Sequence, residues 1–298
     1  MSVVATISLQ PAFAVASSRP ERVLITGGRG FVGSHVLEAF PDAAVVDLKD
    51  GNDIRTFEFP PCDVIFHLAA RAAIPESFSD PLVTNDHNVV GTLRVLEHAR
   101  RCGARVVFSS SSSVYGEPEQ TPTREDSQLD PFSPYAASKL ICEQYMRLYW
   151  RLGVKSCALR YYNVFGERQE LANGGGDSSL ALGIFLRQWR DQDPFTIVGT
   201  GEQRRDFVYV KDVVRANLMA AEWLKTAGRF EAFNVGSGVN YSINEVTGMI
   251  AKDHPGISLP PRPEPLVGLA DISKIQDLLG WSAGTTLPEW IQLTKISN

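Results

Sequence analysis

The stretch Arg22–His35, RVLITGGRGFVGSH, constrains the fold more than any other part of the chain. An aliphatic run breaks at glycines and resumes with apolar residues at Phe31, Val32, Val36 and Leu37. That is the pattern of a strand, a tight turn and the start of a helix. Gly27, Gly30 and Gly33 stand three apart. The first permits a sharp turn, the second lets backbone approach a pyrophosphate, and the third lets the helix pack on the strand. Amide N–H groups and the positive end of the helix dipole would then face an anion. By itself the glycine spacing is a weak sign, and the segments after it decide its meaning.

The helix from Phe31 is expected to end near Phe40, at Pro41-Asp42, and a second strand covers Ala44–Asp47. Asp47 lies 20 positions after Gly27, where a dinucleotide fold places the acid that binds ribose hydroxyls. A carboxylate there repels a 2′-phosphate, which favours NAD over NADP. Further strands are expected at Asp63–Ala69, Arg105–Ser109 and Val154–Tyr162, with helices over Asn88–Cys102 and about Tyr135–Leu152. Alternating strands and helices imply a parallel sheet wound on both faces, an α/β fold. Past Gly166 the pattern loosens: a Gly-rich loop at Asn173–Asp177, a strand at Phe195–Val198, a helix from Val210 to Leu224 and a strand at Glu231–Val235. Ser242 with Glu245, and Thr286 with Glu289, read as capping boxes of two later helices.

A formal charge of −5 offers no electrostatic case for nucleic acid or an anionic membrane as partner. No apolar run approaches the roughly 20 residues of a membrane helix. The four cysteines, Cys62, Cys102, Cys142 and Cys157, show no C-x-x-C pair and no ligand spacing with the five histidines. Free thiols in a reducing, cytoplasmic setting and no metal are therefore expected. Residues 1–21 read as an extension before the first strand; no Lys or Arg precedes Arg19, so a signal peptide's positive region is missing.

Tyr135 and Lys139, the only Tyr-x-x-x-Lys in the chain, lie one helical turn apart on one face. A phenol titrates near 10, so it serves as a base at neutral pH only with help, which a neighbouring ammonium can give. The serine run Ser109–Ser113 follows the fourth strand, at the carboxyl edge where open α/β sheets bind ligands.

In this order, the motifs resemble those of the extended short-chain dehydrogenase/reductases, specifically the nucleotide-sugar epimerases and dehydratases. The resemblance runs from about Arg22 to the C-terminus through Thr26–Gly33, Asp53-Ile54, His67–Ala70, Asn88–Thr92, Ser109–Gly116, Tyr135–Lys139, Arg160–Gly166, Arg205–Tyr209 and Ala270–Lys274. It implies a Rossmann-type sheet over 22–166 and a smaller substrate lobe over 167–298, with 207–235 returning to the sheet. It implies Tyr135 as the base, Lys139 as its partner and a ribose ligand, and Ser111 as the hydroxyl supporting proton transfer. Gly27, Gly30, Phe31, Val32 and Gly33 would hold the pyrophosphate of NAD, Asp53 and Ile54 its adenine, and Leu68, Ala69, Ala70, Asn88, Ser109 and Tyr161 the rest of its path. Ser111, Ser112, Asn163, Arg205 and Arg262 would face a nucleotide-diphosphate sugar, since guanidinium forks suit phosphate oxygens.

Dehydratases resembling this chain carry Asp-Glu where Ser112-Ser113 stand, and related decarboxylases and ketosugar reductases commonly keep the Glu. The all-hydroxyl version resembles 4-epimerases, which work through a transient 4-keto sugar. A 4-ketosugar reductase, an epimerase at another ring position, and a silent NAD-binding scaffold are the competing expectations. Gly268, three before Asp271, would leave room for an N-acetylated sugar, although Arg262-Pro263-Glu264 is one residue shorter than the family's Arg-Pro-Gly-acid motif. The resemblance further implies a homodimer through the helices at 88–102 and 135–152.

Overall fold

The computed structural model describes residues 21–169, 180–261 and 264–296. The extension before Glu21 and the Gly-rich stretch Asn173–Asp177 lie outside them.

In chain order the first half forms β1 (Val23–Thr26), α1 (Phe31–Ala39), β2 (Ala44–Val46), β3 (Val64–His67), α2 (Ile74–Ser79), α3 (Pro81–Asn85), α4 (Gly91–Cys102), β4 (Arg105–Ser111), α5 (Pro134–Arg151), β5 (Ser156–Tyr161) and β6 (Asn163–Phe165). The second half forms α6 (Ala181–Asp191), β7 (Phe195–Val198), β8 (Arg204–Tyr209), α7 (Val210–Thr226), β9 (Glu231–Val235), β10 (Asn240–Ser242), α8 (Ile243–Ile250), β11 (Gly256–Leu259), α9 (Ser273–Leu279) and α10 (Leu287–Ile296).

The main sheet has the order β2-β1-β3-β4-β5-β9, and every neighbouring pair is parallel. Its central strands read as apolar runs because both faces are covered. On one face Ile25, Phe66, Val107 and Leu159 pack with Val36 of α1 and Val213, Ala216 and Ala220 of α7. On the other Leu24, Ile65, Val106 and Phe108 pack with Val95 and Leu96 of α4 and Cys142 and Met146 of α5. Each large side chain so buried contributes about 1.5–3 kcal/mol. Strand order reverses at β1, with β2 on one side and β3 on the other, which opens a crevice at the carboxyl ends of these strands.

Sequence 207–235 divides between the two parts of the molecule. β8 belongs to a three-stranded sheet, β10-β8-β6, whereas α7 packs against the main sheet and β9 extends it. A third apolar cluster fills the lobe with Phe165, Phe185, Phe195, Phe207, Ile243 and Trp290. Phe31 of the glycine turn belongs to this cluster while Val36, on the same helix, belongs to the sheet core. The turn is therefore clamped between the two bodies. Both expected capping boxes are present: Ser242 Oγ accepts from the Glu245 amide at 3.0 Å, and Glu289 reaches back to the Thr286 amide at 3.0 Å.

The helix expected to start at Asn88 differs. It begins as a π-helical turn over Asp86–Val90 that leads into α4. Ile54 explains why Gly91 follows: a Cβ at Gly91 would come within 2.4 Å of Ile54 Cδ1. Such wide turns mark places where side chains are aimed at a site. Among the described residues, no helix is long and apolar enough to cross a membrane.

Candidate functional site

The glycine turn follows β1 directly. Gly27 has φ +74°, and a Cβ there would lie 2.6 Å from the Ala69 amide nitrogen, so only glycine permits this turn beside the chain leaving β3. A Cβ on Gly33 would come 2.0 Å from the Gly27 carbonyl oxygen, so α1 is seated on the turn as a helix without a side chain requires. Asp47 ends β2 nearby, and its two carboxylate oxygens accept from the amides of Arg29 and Lys49, both at 2.9 Å. These bonds orient the carboxylate and leave lone pairs for ribose hydroxyls. Leu68, Ala69 and Ala70 are half-buried at the end of β3, across the crevice. A glycine turn, a helix N-terminus and an oriented carboxylate around one crevice fit a dinucleotide.

A buried relay supports this edge from behind. Thr26 Oγ1 meets His67 Nδ1 at 2.7 Å, and His67 Nε2 meets Thr92 Oγ1 at 2.9 Å. Thr92 donates its own proton to the Asn88 carbonyl at 2.6 Å, so it accepts from Nε2–H and Nδ1 accepts from Thr26. Burial holds the His67 pKa down at about 3, and the ring is neutral. It acts as a strut between β1, β3 and α4.

Helix α5 brings the chemistry to the edge. Ser133 caps it through the Ala136 amide at 3.1 Å, and Pro134 occupies its first position. Tyr135 and Lys139 therefore fall on successive turns. The Lys139 ammonium donates to the Ser109 carbonyl at 2.7 Å and lies 5.9 Å from the centre of the Tyr135 ring. Burial brings its pKa down to about 8. Ser111 ends β4 and accepts from the hydroxyl of Ser113 at 2.9 Å and from its amide at 3.2 Å.

Burial raises the Tyr135 pKa above that of an ordinary phenol, and the Ser111 hydroxyl opposes the rise. The Lys139 ammonium directs its hydrogen bond at the Ser109 carbonyl.

Other expected contacts divide. Asn88 is 2% exposed and its amide is consumed: it accepts from the Arg71 amide at 2.8 Å and donates to the Arg71 carbonyl at 3.0 Å and to Ser138 Oγ at 2.9 Å. It positions the chain beside the site. Tyr161 points to the opposite face of the sheet from α5, where its hydroxyl pairs with Asn217 of α7 at 2.7–3.0 Å. Strand alternation places it there, away from Tyr135, and its phenol serves packing. Asp53 is turned to Arg55, whose side chain also pairs with Asp86; this guanidinium lowers the Asp53 pKa to about 2. Ile54 is buried beneath α4.

On the lobe side, Asn163 donates to the Asp206 carbonyl at 3.1 Å. Arg205 pairs with Glu264 at 2.8 Å. Ser112 follows Ser111 at the opening of a single 3₁₀ turn. Arg262 lies outside the described residues. Asp206, fully buried, accepts from Ser237 N and Oγ and from the amides of Gly238 and Ala270 at 2.6–3.1 Å. It ties together three segments behind Arg205.

Three supporting residues have no role assigned from sequence, although Arg160 and His67 open two of the motifs. Glu143, one turn beyond Lys139, takes a two-pronged pair from Arg160 at 2.7 and 3.0 Å and a 2.5 Å bond from Ser110. Arg160 continues to the Tyr115 hydroxyl at 2.8 Å, which donates to Asn234 at 2.6 Å. His67 is the third. An arginine and a histidine inside apolar strands were the available signals.

The chain is similar to proteins of one known family. The NAD dependent epimerase/dehydratase family model matches residues 23–236. A UDP-glucose 4-epimerase of Mycolicibacterium smegmatis is 34% identical over 313 residues, covering 92% of this chain and 97% of the relative. A UDP-glucose 4-epimerase with UDP-glucose from Thermotoga maritima superposes with a TM-score of 0.83 at 31% identity, covering 92% of this chain and 97% of its own. A UDP-N-acetylglucosamine 4-epimerase from Methanobrevibacter ruminantium, in complex with UDP-N-acetylmuramic acid, gives 0.83 at 30% identity over 93% and 99%. With the glycine turn, the Tyr135–Lys139 pair and the serine edge in place, the chain belongs to the NAD dependent epimerase/dehydratase family.

Proposed function

We propose that this chain is an NAD-dependent nucleotide-sugar 4-epimerase acting on a UDP-hexose or UDP-N-acetylhexosamine. One observation carries the reading. Beside the Tyr135 phenol, positions 112 and 113 are serines, and Ser113 spends its proton on Ser111. Neither position offers the carboxyl that elimination of water or loss of a carboxylate would use. Similarity to UDP-glucose 4-epimerases at about 30% identity supports the same class.

In this reading residues 22–166 with part of 207–235 hold the cofactor, and the remainder holds the sugar nucleotide. Gly27, Gly30, Phe31, Val32, Gly33 and Asp47 hold NAD, which supplies a hydride acceptor beside the sugar when bound. Tyr135 takes the proton of the C4 hydroxyl as the phenolate, the form that the Lys139 ammonium and the cationic nicotinamide of bound NAD would favour against burial; Ser111 keeps that proton path in line, and Lys139 would also hold the ribose. Tyr135 returns the proton after the 4-keto sugar has presented its other face. Asn163 and Arg205 face the diphosphate, with Arg262, and the phosphate oxygens compete with Glu264 for Arg205. A Cβ on Gly268 would meet nothing closer than 3.7 Å, at the Arg204 carbonyl; the lack of a side chain there supports a pocket open to an N-acetyl group.

The test is purified protein without added cofactor, given UDP-glucose, UDP-N-acetylglucosamine or their uronic acids. An epimerase interconverts the C4 epimers; a reductase stays idle, which would end the proposal. Gly268→Tyr is expected to lower turnover of the N-acetylated substrate about 10–100-fold relative to the plain hexose. A homodimer belongs to the same reading: Ile141 and Leu148, seven apart on α5, are 40% and 46% exposed. Light scattering at the monomer mass would remove that element.

A further inference from the structure

At the end of the sheet opposite the reaction edge, three ligand-type side chains converge. Cys62 precedes β3, and His98 and Cys102 lie one turn apart on the last turns of α4. Cys62 Sγ lies 3.6 Å from His98 Nε2 and 4.0 Å from Cys102 Sγ, and Cys102 Sγ lies 3.7 Å from the same nitrogen. These are near-equal edges of a triangle. A tetrahedral zinc ion, with about 2.3 Å to sulfur and about 2.0–2.1 Å to nitrogen, sets sulfurs ~3.8 Å apart and sulfur and nitrogen ~3.6 Å apart. The triangle matches that template within a few tenths of an ångström.

The surroundings suit a cation as well. All three groups are the only such cluster of His, Cys and acidic side chains among the described residues. Cys62 is 1% and His98 7% exposed, whereas Cys102 is half-buried, so the cluster is sheltered on one side and reachable on the other. The Phe59 ring packs on the imidazole at 5.3 Å between centres and holds its plane. The Pro60 carbonyl oxygen stands 3.0 Å from Nε2. It receives the Nε2 proton in the metal-free arrangement and becomes an oxygen neighbour of the fourth corner once that proton moves to Nδ1.

We propose that Cys62, His98 and Cys102 form a zinc-class metal site, with water or the Pro60 carbonyl at the fourth corner. Each thiol releases a proton on binding, the imidazole stays neutral, and two thiolates balance the ion's charge. The site clamps the lead-in of β3 to the end of α4 and lies away from the sugar chemistry, so it stands whether or not the proposed reaction does.

Tag-free full-length protein, reduced and stripped with chelator, is titrated with cobalt(II) and then zinc. The expected result is one cobalt per chain with a sulfur-to-cobalt charge-transfer band, displaced by zinc. Zinc is expected to protect the half-buried Cys102 from alkylation by at least 10-fold, with the buried Cys142 and Cys157 as internal controls. Cys102→Ser, at the half-exposed corner, abolishes the band while leaving turnover and bound NAD unchanged; His98→Gln shifts it and weakens binding. No thiolate band in the folded wild-type protein, or a band that survives Cys102→Ser, overturns the proposal. So does a Cys62–Cys102 disulfide in protein that still takes up no cobalt after reduction.

Discussion

Lys139 and Glu143 stand one turn apart on α5 and are 2% and 3% exposed, yet their charges are treated in opposite ways. Glu143 meets Arg160 through two prongs and Ser110 through a third bond, so every lone pair in reach is answered. Lys139 has a single neutral partner, the Ser109 carbonyl, and Glu143 acts on it only at a distance. Full pairing locks the first group into an ion pair with Arg160; burial with one neutral partner brings the pKa of the second down to about 8. A site of proton transfer needs a movable group, and its scaffold needs a fixed one. The same helix provides both.

The largest effect expected along this contrast is at the movable end. Tyr135→Phe should lower kcat about 10³-fold, within the usual 10²–10⁴ range for a lost acid–base group. Thermal stability and bound NAD should stay near wild type. A variant that loses stability in proportion would place Tyr135 with the scaffold.

The fixed end should behave in reverse. Glu143→Ala leaves Arg160 buried and unpaired, at a cost of about 3–5 kcal/mol in urea unfolding. Pairing it with Arg160→Met should recover most of that loss. If the double variant is no better than the single one, the charge pair is not what holds β5 to α5.

Lys139 sharpens the comparison through pH. Its pKa falls from 10.5 in the unfolded chain to about 8 in the fold. Between these values the unfolded chain binds more protons, so the native protein gains stability as pH rises through this window and loses it as pH falls to 8. Lys139→Met removes that penalty. After the lost Ser109 bond it should be about 2 kcal/mol more stable than wild type at pH 7, an advantage that vanishes above pH 10.5. An advantage that is constant with pH would show that the Lys139 charge is not strained. The smallest effect is expected behind the edge: Thr92→Val strands the His67 N–H and costs about 1–2 kcal/mol, read as a lower unfolding midpoint with turnover retained.

Much of the scaffold was legible. The glycine turn, the apolar runs of β1, β3, β4 and β5, and both capping boxes follow local rules whose partners lie within a few residues. The lobe was less so. β10 pairs antiparallel with β8 from 34 residues away, Asn240 opposite Asp206, and all four residues of β11 are exposed, so neither shows apolar alternation. The short helices α2 and α3, over Ile74–Asn85, went unassigned for a similar reason: six and five residues are too few for a period to show. In the site, Tyr135, Lys139 and Ser111 come together as the motifs imply. Asn88 and Tyr161 spend their side-chain hydrogen bonds on Arg71, Ser138 and Asn217, partners the motifs do not reveal, because the direction of a side chain at a π-turn or strand end depends on what packs against it.

By itself, then, the sequence determined the parallel α/β frame, the place of the dinucleotide turn and the spacing of phenol and ammonium, all set by backbone period and steric demands on neighbouring residues. The tertiary structure alone decided which charges are desolvated and which are answered. It buried Tyr135, which raises its pKa, and it joined Arg160 to Glu143. It also brought Cys62 to His98 and Cys102, from 36 and 40 residues away. Burial and pairing depend on distances between groups remote in the chain, and no local pattern records those distances.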